Sequence, residues 1–441
     1  MQDFLTVFKK NKGAKPIAIN DIRIPEFDTD TKLDSQSFVL YGDASEVDFS
    51  NAGEKLPYIR FNSKTKFPTI DKMPDGFNPE QVLENGKVPG LSIGDLHAMG
   101  ITGKGITVAI IDQPLNTEHS EIKDNIIHYE SNGYPEHLEA QIHGTAVSSL
   151  LAGKTVGVAP DAKIVYFAAN ATKIKRTLAD ENFQKVLRQY FPKDMDFDET
   201  IKDILNNRHQ IDEEFSHKIN QIIANLPPDI KEQAFSVKTE IYFTHRAKAL
   251  RKILFMNARL PQDKKISAVS ISWGMLGTDP ESTKLIKQLI DSGVMVLTTD
   301  SERFYGDKAN FITIDRKMNS NPDDIQSYEV GFWKKNKDNL HEHLLVPAGG
   351  RTIAGNQSND DYIYCGADSG MSLSTPYLVG VYALAKQVAP NLTPHHFFEI
   401  AQQTAVSNGQ TGDNKIIQPQ RIIQYLQNEM VLQRQTTEKN M

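Results

Sequence analysis

Gly103-Lys-Gly-Ile-Thr-Val-Ala-Ile-Ile-Asp112 decides the fold. Within it, Val108 to Ile111 is a short unbroken apolar run, the pattern of a strand buried on both faces of a parallel sheet. The carboxylate of Asp112 follows at once. Charge placed at the carboxyl end of such a strand lies on the edge where open α/β sheets build their sites. Taken alone, Asp112 also reads as a helix cap or a turn carboxylate.

Two distant stretches answer it. His143-Gly-Thr-Ala-Val-Ser-Ser-Leu-Leu-Ala-Gly153 follows a His with small and apolar residues, which predicts a tightly packed helix start holding the imidazole at a fixed point. Gly370-Met-Ser-Leu-Ser-Thr-Pro376 precedes a buried helical run from Tyr377 to Ala385. Ser372 at the amino terminus of that helix gains backbone N–H donors and the positive end of the helix dipole. Singly, His143 reads as a surface or satisfied histidine and Ser372 as a turn serine. Jointly they supply what nucleophilic chemistry requires: a hydroxyl, a base for its proton and a carboxylate to fix the base's tautomer. The chain order Asp, His, Ser is the subtilisin order and not that of chymotrypsin or the α/β-hydrolases.

From about Pro89 to about Gln427 the chain resembles the subtilisin-like serine proteases (subtilases, peptidase family S8). Gly103 to Asp112 resembles the family's first core strand, and the loop through His119 and Glu121 follows it. His143 to Gly153, Gly157-Val-Ala-Pro160 and the strand Lys163 to Ala168 come in the family's order. The resemblance implies a doubly wound α/β fold with a mainly parallel sheet flanked by helices on both faces. It also implies a serine endopeptidase in which Ser372 attacks, His143 acts as base then acid, and Asp112 orients His143 through an acyl-enzyme cycle. Ser374 and Thr375 match the family's small helix residues. Ser272-Trp273-Gly274 matches the segment that pairs with substrate backbone, and Trp273 either lines a subsite or packs in the core. No cofactor is expected, and the expected partner is a protein or peptide substrate.

Two departures are visible. The family's oxyanion asparagine follows an apolar strand, here Gly293-Val-Met-Val-Leu297, yet Thr-Thr-Asp-Ser-Glu302 comes next. Ungapped counting puts Glu302 at that position; a one-residue gap puts the Ser301 hydroxyl there as a weaker donor. Losing one such donor costs on the order of 3–4 kcal/mol. This motivates an alternative reading, a weak or inactive subtilase-fold protein that binds a peptide or partner. The family's calcium loop is too short at Leu151 to Gly157. Glu121 holds the position of one carboxylate ligand without its companions, so no calcium is expected there. Asn356 to Asp361 reads as a turn, and no His or Cys pair at ligand spacing supports metal catalysis.

The remaining 441-residue sequence sets bounds. A hydrophobic share of 39% and a charged share of 24% suit a sizeable core. A net charge of -7 argues against nucleic-acid binding. No run reaches the roughly 18 apolar residues of a membrane span. No signal peptide is visible and Cys365 stands alone, so a cytoplasmic location is expected. Cys365 reads as a buried small hydrophobe. Residues 1–85 form an extension, either a pro-region like that of secreted subtilases or a segment packed on the catalytic domain. The catalytic domain is expected over 86–430, with a charged helical insertion at 171–238, and a polar, frayed tail over 431–441. Oligomeric state is not indicated.

Overall fold

The computed structural model describes residues 8, 13–16, 21–23, 38–132, 140–169, 184–185, 188–189, 196–199, 245–274, 279–330, 343–411 and 414–439. Strand β4 (Thr107–Asp112) is buried along its whole length. Its side chains alternate between two cores, as the two-residue period of a strand dictates. Val108 and Ile110 enter one apolar cluster, Ala109 and Ile111 the other. Around it lie β5 (Ile126–Glu130), β6 (Lys163–Ala168), β7 (Ile266–Ser270) and β8 (Met295–Leu297). The five strands run in the order β5–β6–β4–β7–β8, and every pairing is parallel. The chain winds to one side of β4 for β5 and β6, then to the other for β7 and β8. The carboxyl end of β4 is therefore a topological switch point.

Helices cover both faces of this sheet. Helix α3 (Ile142–Ala152) and the long α7 (Met371–Val388) pack together over the Val108 face. On the Ala109 face lie α4 (245–257) and α5 (Pro280–Asp291). The architecture is the doubly wound α/β fold expected. A second sheet takes β9 (Phe311–Arg316), β10 (Tyr328–Glu329), β11 (Leu344–Pro347) and β14 (Lys415–Ile416), with β9, β11 and β14 mutually parallel. Two more helices, α8 (Pro394–Thr404) and α9 (Pro419–Lys439), follow α7.

A third sheet joins early strands of the chain to a hairpin just before α7. Its strands are β1 (Asp21–Arg23), β2 (Phe38–Tyr41), β3 (Ile59–Asn62), β12 (Arg351–Ala354) and β13 (Tyr362–Cys365), in the order β1–β2–β3–β13–β12. The β12–β13 hairpin is antiparallel and β3 pairs antiparallel with β13. Helix α1 (Pro79–Lys87) lies against this sheet, so close that a Cβ on Gly86 would meet Thr352 Oγ1 at 2.2 Å. Helix α2 (Ile93–Ala98) leads into β4.

The expected insertion at 171–238 lies almost entirely outside the described residues. At the carboxyl end, within the expected polar tail, α9 continues through Lys439. Gln, Arg, Glu, Lys and Met are good helix formers, and a polar composition does not end a helix without Gly or Pro.

Candidate active site

Asp112 closes β4, and its carboxylate is tied from two directions. Oδ1 accepts from the Gln113 backbone N–H at 2.7 Å and pairs with His143 Nδ1 at 2.7 Å. Asp112 is 1% exposed, while the His143 side chain keeps 23% of its surface open. With Nδ1 facing a carboxylate, the neutral ring carries its proton there and leaves Nε2 as the basic nitrogen. Burial is the largest influence on the imidazole and pushes its pKa down; the charge and hydrogen bond of Asp112 more than offset it, and Arg60 opposes them. The net result is a pKa above the ordinary value.

Glycine after His143 is a packing requirement. A Cβ on Gly144 would lie 2.3 Å from Gln113 O and 2.4 Å from the Tyr166 hydroxyl. That hydroxyl donates to Gln113 O, Gln141 N donates to Pro114 O, and Asn116 N donates to Thr145 Oγ1. The Asp loop and the His helix are thus laced together. Burial, followed by the Asp112 charge, holds the Tyr166 phenol far above its usual range.

Ser372 is the second residue of α7, half-buried, with Gly370 as N-cap. Leu373 N donates to Gly370 O at 3.0 Å and closes the first turn. Pro376 has no N–H, so the Ser372 carbonyl receives no intrahelical bond from it. The α3 and α7 amino termini meet in one apolar cluster: Leu373 packs with Ala146, Leu150 and Cys365, and Ile142 borders it. His143 and Ser372 are the immediate neighbours of Ile142 and Leu373. Ser374 and Thr375 are buried and bonded within the protein, to Val346 O and Met371 O. Cys365 is 3% exposed, and burial raises its thiol pKa.

Past the end of β7, Ser272 is buried and Trp273 half-buried. The Trp273 ring lies 5.7 Å from that of His143 at 56°, and it borders the cluster under α4 and α5. Gly274 faces the end of β8, where an added Cβ would be 3.2 Å from Thr299 Oγ1 and 3.7 Å from Asp300 Oδ1. The Gly274 carbonyl accepts from Arg246 Nη1 at 3.5 Å. The same guanidinium, fully buried, pairs with Asp279 at 2.7 Å.

The oxyanion expectation for Ser301 is corrected. Its hydroxyl donates to Thr298 O at 2.8 Å and accepts from Thr298 N at 2.9 Å, and the residue is 0% exposed. Its one proton is committed to the main chain. Glu302 opens the short helix α6 (Glu302–Tyr305) and is exposed. The carboxylate of Glu121 accepts from Thr155 N, Thr155 Oγ1, Val156 N and Tyr362 Oη. Those neighbours donate hydrogen bonds, whereas a calcium ion needs oxygen acceptors. The surroundings therefore do not fit that ion. Asp361 accepts from Gln357 N and Ser358 N, a turn arrangement.

Sequence reasoning missed Arg60 and Arg246. Arg60 lies opposite Cys365 in the β3–β13 register, so both side chains share one face. That is the face turned to Ile142 and Leu373. Arg246 carried no signal, because its partners Gly274, Asp279 and Ser282 lie across a strand and a loop.

The comparisons with known proteins point the same way as the sequence motifs. Residues 103–297 match the profile of the subtilase family, peptidase S8. Over 127 residues it is 34% identical to the minor extracellular protease Vpr of Bacillus subtilis (strain 168), a match covering 25% of this chain and 15% of that relative's length. Among solved structures, the prenylagaramide maturation protease PagA gives a TM-score of 0.43 at 12% identity, covering 76% of this chain and 98% of that one. The PatG macrocyclase domain gives 0.44 at 12% identity, covering 77% and 95%. A cold-adapted subtilisin-like serine proteinase gives 0.39 at 14%, covering 71% and 89%. No helix among the described residues is long and apolar enough to cross a membrane.

Proposed function

We propose that the chain is a serine endopeptidase acting on protein or peptide substrates. The reading is carried by the 2.7 Å Asp112–His143 bond, made where the amino termini of α3 and α7 meet. Ser372 Oγ attacks the scissile carbonyl while His143 Nε2 takes its proton. The same proton then passes to the leaving amine, and water hydrolyses the acyl-enzyme by the reverse sequence. Asp112 holds the tautomer and stabilises the imidazolium. Substrate backbone adds to Ser272-Trp273-Gly274 as an extra strand, and Trp273, beside His143, borders the residue nearest the scissile bond. The N–H groups of the first turn of α7 face the developing oxyanion. With Ser301 committed elsewhere and no asparagine in place, catalysis runs on fewer oxyanion donors, about a hundred- to a thousand-fold below a full set.

The test is labelling by a fluorophosphonate probe followed by intact mass. One adduct on the wild-type chain and none on Ser372→Ala is expected. Equal labelling of both, or of neither, rejects the reading.

A further inference from the structure

Strand β2 is buried on both faces, and the faces belong to different cores. Phe38 and Leu40 pack with Phe49, Ile59 and Phe61. Val39 and Tyr41 pack with Ala146, Leu150, Cys365 and Leu373, the cluster at the amino termini of α3 and α7. The extension thus has no separate inner face to peel from the rest; one strand closes both cores.

Its neighbour β3 reaches the nucleophile's own loop. Residues Arg60, Phe61 and Asn62 pair with Cys365, Tyr364 and Ile363. Immediately beyond β13, Gly366 N donates to Ile59 O at 2.9 Å and Ala367 N donates to Pro57 O at 2.6 Å. The approach is so close that a Cβ on Gly366 would lie 2.4 Å from Pro57 O. Six residues beyond Gly366 stands Ser372. A separate segment of the extension ties the other two loops: Ala14 N donates to Leu115 O at 2.8 Å and Ala140 N donates to Lys15 O at 2.5 Å. Those acceptor and donor positions follow Asp112 and precede His143.

We propose that the described parts of residues 13–62 are a permanent wall of the active centre, retained in the working protein, in which the Pro57 and Ile59 carbonyls position the loop that presents Ser372. The functional half of this proposal rests on Ser372 being the nucleophile; the structural half stands without it. It replaces the pro-region expectation, under which the extension leaves an already complete domain behind.

An endopeptidase site inserted between Asp75 and Gly76, both exposed, allows the full chain to be cut after folding. The expected result is that the two pieces co-elute in sub-denaturing urea and unfold in one transition. Native-state hydrogen exchange of the uncut protein should protect the Phe61 and Tyr364 amides to the same degree. Release of residues 1–75 with native near-ultraviolet dichroism retained in the remainder overturns the proposal. So does a probe-labelled species whose intact mass lacks the extension. The cut requires no catalysis, so a chain that never takes the probe rejects the protease reading while co-elution still decides this one.

Discussion

Replacing Asp112 by Asn keeps the shape of the site and removes one charge. The structure makes the outcome specific. Both hydrogen bonds reach a single oxygen, Oδ1, from Gln113 N and His143 Nδ1, while Oδ2 is buried with no hydrogen-bond partner among the described residues. An asparagine that keeps its carbonyl at Oδ1 buries an NH2 group without an acceptor, at about 1–3 kcal/mol of stability. The flipped amide sets two donors face to face at Gln113 and forces the His143 proton onto Nε2, where the base is lost. The flipped form, which loses the base, should lower kcat about ten-thousand-fold, near 5 kcal/mol of barrier at about 1.36 kcal/mol per decade. The acid limb follows from sign. In the wild type the imidazole pKa stands above 6.5, because Asp112 outweighs burial and Arg60. Without the carboxylate, burial and Arg60 act unopposed, so the limb moves to lower pH. Carbon-13 labelling of the 12 histidines, with His143→Gln for assignment, reads that titration directly and without substrate. A His143 titration that stays in place or rises, or a kcat loss under about tenfold, refutes the reasoning.

Arg60→Gln removes an opposing cation from His143, so the acid limb of activity should shift upward in pH, with Arg60→Lys restoring it; an unmoved profile contradicts the placement. Gly144→Ala drives a methyl group into Gln113 O and the Tyr166 hydroxyl, and should destabilise by at least about 1–3 kcal/mol in chemical denaturation while abolishing probe labelling. Tyr362→Phe deletes a 2.7 Å bond to the Glu121 carboxylate and should cost about 1.5–3 kcal/mol in urea unfolding. Added calcium should not recover that loss, since the site offers a cation donors and not acceptors.

The core of the fold was legible because local pattern and tertiary role coincide in it. Val108 to Ile111 reads as a strand buried on both faces and is one, and Lys163 to Ala168 spans β6 as expected. The helix behind His143 is equally plain, since Gly144 is forced by close approach to Gln113 O. The oxyanion position failed for a local reason: Ser301 bonds back to Thr298, and free and self-bonded hydroxyls share one sequence. The extension failed for a long-range reason. Nothing near Arg60 announces Cys365 as its partner, and alternation in Phe38-Val-Leu-Tyr41 looks uniformly apolar when both faces are buried in different cores.

The third sheet has a consequence for synthesis. Strand β3 is made well before its partner β13, so Ile59–Asn62 must wait through much of translation with an open hydrogen-bonding edge. Such distant pairing is slow to form and exposes apolar strands to aggregation meanwhile. The delay also has a protective side under the proposed function: the Ser372 loop cannot be set until the parallel sheet has been made, so a nucleophile there would be assembled only after the chain that could harm itself had largely folded.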